Sequence, residues 1–213
     1  MEKQSTKSKQ IFLAIGTFTA WFAVGLQFYL IILNRATSIP EAIIRFFSFY
    51  TILTNILVAL CFIFLWLKPK SRWGSFFSKP KTLTAITVYI TIVAIVYNTI
   101  LRFTWNPQGL QQVADESLHV IVPVFFILYW FIFVSKTGLQ WKNVFPWLIY
   151  PFVYLLYSLF RGAVAKYYPY PFLDVNILGY KQVFLNSIGL FAAFLLVSLV
   201  FVTIAKRISR TAG

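Results

Sequence analysis

Acidic residues are nearly missing from this chain. Five Asp and Glu stand against 19 Lys and Arg, and charged residues of both signs make up only 11% of 213 positions. A soluble domain carries about 25%, so too few charges are present to coat a water-facing shell. Cysteine occurs once, as Cys61, which excludes an intrachain disulfide. Histidine also occurs once, as His119. One imidazole, one thiol in an apolar block and no intramembrane acid cluster cannot assemble an ordinary zinc or di-iron site, and bis-imidazole haem ligation needs a second histidine. A glycine-rich phosphate loop is absent, and so is the Gly-x-Ser-x-Gly elbow of serine esterases. Neither a metal nor a cofactor is expected. No internal repeat or linker divides the chain, which reads as a single domain over residues 1–213.

What is abundant is apolar. Hydrophobic residues are 60% of the chain and aromatics 20%, and they arrive in blocks of about twenty, the length that crosses a hydrocarbon core. Six spans are predicted, at about 11–33, 46–67, 83–103, 117–134, 144–160 and 183–205. The blocks lack the alternation of barrel strands, so they are helices whose backbone groups pair internally. The fold class is therefore all-α, a polytopic six-helix membrane bundle. The block after Lys3, Lys7 and Lys9 is too long for a typical cleavable leader and reads as a retained first helix.

The net charge of +14 follows the loops. Lys3, Lys7, Lys9, Lys68, Lys70, Arg72, Lys79, Lys81, Lys136, Lys142, Lys206, Arg207 and Arg210 fall on one side of the predicted topology. Arg35, Arg45, Arg102, Arg161, Lys166 and Lys181 fall on the other, with Glu41, Asp115, Glu116 and Asp174. The positive-inside bias puts the richer side, and both termini, in the cytoplasm of a multi-pass cell-membrane protein. No basic stripe on a folded surface points to nucleic acid.

Polar residues within spans are costly and mark function or packing. Here they gather in the outer half. Ser48, Thr51, Thr54 and Asn55 lie early in the second span, and Asn98 and Arg102 late in the third. His119 opens the fourth behind Asp115 and Glu116, and Arg161 closes the fifth. Ser48, Thr51 and Asn55 share a face if the helix is continuous, as do Asn98 and Arg102. Glu116 is placed to orient the His119 ring. The plainer readings are that Thr and Ser bond the carbonyl one turn back, that the histidine packs at an interface, and that the arginines snorkel to headgroups. The chemical reading pairs a hydroxyl with an imidazole base, with Asn55, Asn98 or Arg102 as oxyanion donors. The Tyr167–Phe172 stretch reads as an interfacial anchor with proline turns, and Pro123, Pro146 and Pro151 as points of helix bending.

The run Phe46-Phe47-Ser48-Phe49-Tyr50-Thr51-Ile52-Leu53-Thr54-Asn55 resembles the second-helix motif of the androgen-induced-gene and FAR-type family of integral membrane proteins. The run Glu116-Ser117-Leu118-His119-Val120-Ile121-Val122-Pro123 resembles that family's histidine motif. Arg161-Gly162 with Tyr168-Pro169-Tyr170-Pro171-Phe172-Leu173-Asp174 looks like its bacterial branch. The resemblance implies a six-helix hydrolase of fatty acid esters of hydroxy fatty acids, with Thr51 as nucleophile rather than Thr54 and His119 as its base. Its partners are then the lipid bilayer and a lipid or fatty-acyl ester substrate, whose free carboxylate Arg102 or Arg161 would hold. A small-molecule or lipid transporter and a non-enzymatic membrane scaffold are the alternatives.

Overall fold

The computed structural model of the chain describes the backbone of residues 2–211 and the side chains of residues 7–210, so the side chain of Lys3 lies outside the described ones. Among the described residues there is no strand, and six helices are long and apolar enough to cross a membrane. The long helix α1 (Glu2–Leu33) leads to a short amphipathic α2 (Ile39–Phe46), then α3 (Tyr50–Leu67), short α4 (Arg72–Phe77) and α5 (Pro80–Thr99). The fourth span is composite: α6 (Leu110–Glu116), a π turn (Ser117–Ile121) and α7 (Val122–Phe133). One-turn α8 (Val144–Trp147) precedes α9 (Ile149–Ala165), and α10 (Val175–Thr211) closes the chain, broken at Gly179 with φ 71° and ψ 160°.

The second and fourth spans begin elsewhere than predicted, for physical reasons. The second does not run from residue 46. Ser38 accepts the Glu41 amide and Pro40 sits in the first turn, so α2 is a capped helix of its own. The chain turns at Phe47–Phe49 before α3 starts at Tyr50. Ser48 therefore lies in the break, not on the Thr51–Asn55 face. The fourth span starts seven residues earlier than residue 117, which brings Asp115 and Glu116 into helix.

Helices α3 and α5 form the buried centre. Around it pack α1, α7 and α10, with Phe62, Phe126, Tyr129 and Trp130 fully enclosed. Outward faces carry Phe18, Phe22, Phe145, Phe160 and Phe184, all well exposed. Apolar surface on both the inner and outer faces suits helices solvated by acyl chains.

Helix α9 stands away from this centre on tyrosine spacers. Tyr150, Tyr154 and Tyr157 share one face at helical spacing. Tyr150 Oη meets Thr54 Oγ1 at 3.3 Å, Tyr154 donates to the Ser48 carbonyl at 2.9 Å, and Tyr157 Oη meets Ser48 Oγ at 3.0 Å. The rings hold the backbones apart and leave space between α9, α10, α3 and α5.

At the end of the bundle where the termini lie, Lys136 is not a free loop charge. Its ammonium is buried against the C-terminus of α7, donating to the carbonyls of Trp130 and Val134 at 2.5 Å each and lying 4.3 Å from the Trp130 ring. Burial pulls its pKa down to about 8, while the helix-end carbonyls favour a cation there.

Candidate active site

The site starts with a proline. Pro123 has no amide to donate to His119 four residues back, and its ring crowds that carbonyl. The helix responds with a π turn in which the Val122 amide reaches back five residues to the Ser117 carbonyl. Leu118 is then left with a carbonyl that its own helix cannot serve: Val122 is taken and Pro123 has no N–H. Asn55 supplies the missing donor from α3. Its Nδ2 donates to Leu118 O at 3.2 Å and to Thr51 O at 2.8 Å. This bond fixes the register between α3 and the π turn, and with it the placement of Thr51 and His119. Asn55 Oδ1 is buried without a partner among the described residues. With both amide hydrogens on backbone carbonyls, Asn55 is a staple rather than an oxyanion donor.

His119 is held on two sides. Its Nδ1 lies 2.8 Å from the Asp115 carbonyl and 3.4 Å from Asp115 Oδ1. Both are acceptors, so Nδ1 carries the proton and Nε2 is the acceptor of the neutral ring. Nε2 makes no hydrogen bond among the described residues. The ring stacks on Tyr97, with centroids 3.9 Å apart and planes at 14°. The Tyr97 hydroxyl donates to Asp115 Oδ2. The orienting carboxylate is thus Asp115, four residues back, and not Glu116. Glu116 instead forms a bidentate bridge with Arg102, at 2.6 and 2.8 Å, while Arg102 Nε donates to Asn98 Oδ1 at 3.0 Å. Asn98, Arg102 and Glu116 clamp the end of α5 to α6 behind Tyr97, outside the cavity that His119 borders.

Thr51 differs from most of the helical threonines. Thr17, Thr84, Thr87, Thr91, Thr99 and Thr203 each donate to the carbonyl four residues back. Thr51 makes no such bond. Its Oγ1 lies 3.2 Å from the Tyr170 hydroxyl, and its amide donates to the same oxygen at 3.1 Å. Tyr170 comes from the loop read as an interfacial anchor, yet it is buried. Pro171 restricts the residue before it to extended backbone, and Tyr170 adopts φ −133° and ψ 138°. Phe172 stacks on its ring, and Asn186 holds the loop by donating to Phe172 O. Burial pushes the Tyr170 phenol up, so it is protonated at neutral pH.

Thr51 and His119 border one cavity of about 270 Å³. Its polar wall also holds Gln27, Tyr97, Asp115 and Tyr170, with Gln111, which donates to Gln27 at 2.9 Å. No hydrogen bond joins Thr51 to His119, but the cavity that both border is large enough to hold water. Thr54 is turned to Tyr150, away from this cavity.

Arg161 is also engaged elsewhere. Glu41 Oε1 accepts from Arg161 at 2.9 Å and from Arg45 at 2.8 Å, and both guanidinium groups lie against the Tyr167 ring. The Arg45 hydrogen bond is the main reason that the Glu41 carboxyl is held below its ordinary value, with the Arg161 charge adding to it.

The sequence matches no family model, no curated protein and no solved structure.

Two outcomes follow from this geometry. Replacing Asn55 with Ala strands the Leu118 carbonyl and lowers stability by about 1–3 kcal/mol. Adding Pro123→Ala, which restores an amide to that turn, recovers part of the loss. Thermal melts of the purified variants decide it, and an unchanged melting temperature for Asn55→Ala would remove the staple from the account. The second outcome concerns pH. Because folding lowers the Glu41 pKa, its stabilisation is complete above about 4.5 and is lost as pH falls through the lower folded value. Glu41→Gln therefore flattens the acid side of the stability curve, measured by melts across that range, and leaves the neutral-to-acid slope untouched only if the cluster contributes nothing.

Proposed function

We propose that this protein is an intramembrane hydrolase of fatty-acyl esters, with Thr51 as nucleophile and His119 as base. The observation that carries the reading is the placement of the Thr51 hydroxyl on the cavity that His119 also borders. The hydroxyl makes no bond to the carbonyl four residues back, and it faces a cavity shared with an imidazole whose Nδ1 is committed to the Asp115 carbonyl, with the Asp115 carboxylate beside it. A scaffold would spend such groups on helix-to-helix bonds and leave no hollow. The sequence resemblance drawn from residues 46–55 and 116–123 leads to the same pair.

The chemistry follows from these positions. Thr51 Oγ1 attacks the ester carbonyl carbon while its proton passes, through one water, to His119 Nε2. Asp115 holds the ring and offsets the imidazolium charge. The negative charge on the tetrahedral intermediate falls beside the Tyr170 hydroxyl, the donor nearest Thr51 now that Asn55, Asn98 and Arg102 are occupied. Collapse expels the alcohol, which takes the proton from His119, and leaves an acyl-Thr51 ester. A water deprotonated by His119 then releases the fatty acid and restores Thr51. In this reading both termini are cytoplasmic and the cavity lies toward the outer half of the cell membrane.

Thr51→Ala should leave the melting temperature unchanged and cut hydrolysis of a long-chain fatty-acyl ester by about a hundredfold or more. Thr54→Ala should keep most of the activity. Full turnover by a folded Thr51→Ala protein would end the proposal.

A further inference from the structure

The wall of Thr51 and Tyr170 has two sides. One faces the polar cavity. The other faces a narrow apolar cavity of about 70 Å³, walled by Tyr50, Tyr154, Phe194, the start of α3, the last turns of α5 and the middle of α10. Thr51, Leu101 and Tyr170 belong to both walls. The apolar cavity in turn shares Leu155, Ser187 and Phe191 with a long open groove between α9 and α10, of about 890 Å³. The groove exists because the tyrosine spacers hold α9 off the bundle.

From this continuity we propose that the groove and the apolar cavity seat one acyl chain of a bilayer lipid ester, admitted sideways between α9 and α10, with its ester group at Thr51 and Tyr170. The proposal rests on the hydrolase reading and adds the route and seat of the chain. Three features select this occupant. The groove lies along a membrane-spanning pair, so acyl chains are its surroundings. Phe152, Leu159, Phe184, Ile188 and Leu195 line it almost without polar interruption. From Tyr180 to Leu195 it follows α10 for about 22 Å at 1.5 Å per residue, and its polar end, at Tyr180 and Lys181, adjoins the loop that carries Tyr170. The inner wall adds Tyr50, whose buried hydroxyl makes no hydrogen bond among the described residues and is placed to donate to a lipid carbonyl.

The test is photocrosslinking in phosphatidylcholine nanodiscs with a palmitoyl ester that carries a diazirine along the chain. Wild-type and Thr51→Ala proteins should both be labelled on cavity residues such as Phe194 and Ile92, as well as on the groove. Ile188→Trp fills the groove from its lipid-facing side without touching the inner cavity. It should reduce Phe194 labelling by about tenfold, the effect of losing roughly two buried methylenes, and Ser187→Phe should do the same at the junction. Equal melting temperatures confirm that the variants are folded. Labelling confined to the outer surface, or inner labelling indifferent to both variants, overturns the proposal. So does a crosslink between two copies through this groove. Inner labelling of a wild-type protein that turns over no ester supports the seat while refuting the hydrolase reading, so the two failures are separable.

Discussion

The carbonyl of Leu118 has no amide to receive within its own helix, because Val122 is diverted to Ser117 and Pro123 has none to give. Asn55 reaches across from α3 to take that place. A buried carbonyl left unpaired costs more than an ordinary hydrogen bond yields, so this contact resists sliding of α3 along the fourth span. Thr51 lies one turn from Asn55, and His119 is the next residue after Leu118. The same bond that repairs a proline defect therefore sets a hydroxyl and an imidazole on one cavity wall. π turns of this kind are frequently found at functional sites, and here the reason is visible: the defect frees a backbone group that can be used to dock a second helix.

A second constraint shapes the space around that pair. Large side chains separate α9 from α3, and three phenol groups satisfy their hydrogen bonds along the way. The gap that results is polar on the His119 side and apolar on the α9–α10 side. An ester of a fatty acid has the same division, with one oily arm and a carbonyl at the boundary. The loop from Tyr167 to Leu173 closes the gap at its polar end by turning Tyr170 inward, and the arginine–glutamate–tyrosine cluster ties that loop to α2 and α9.

Much of this is legible in the sequence. The six spans follow from block length alone, and the clustering of Thr51, Asn55 and His119 toward one end of the bundle follows from their position within the blocks. Thr51 and His119 border one cavity without a hydrogen bond between them. The partners of these residues are less readable. Glu116 and Asp115 are adjacent, and only the early start of α6 decides that the latter reaches His119. Arg161 looks like a free cation until Glu41, 120 residues earlier, is folded against it. Tyr170 sits in a Tyr-Pro repeat whose composition suits a membrane interface, and nothing local says that a pre-proline backbone will aim it inward. Asn55 has the right chemistry for an oxyanion donor, but the π turn that claims its amide depends on Pro123 in another helix.

The most direct test of the central claim is to incubate the purified protein with a long-chain 4-nitrophenyl ester, quench early, and map the acyl adduct by peptide mass spectrometry. The account predicts an acyl group on Thr51 that forms in the native protein and fails to form when His119 is replaced by Ala. Ester consumption with the adduct on another residue, or with Thr51 acylated equally in the absence of His119, would contradict it.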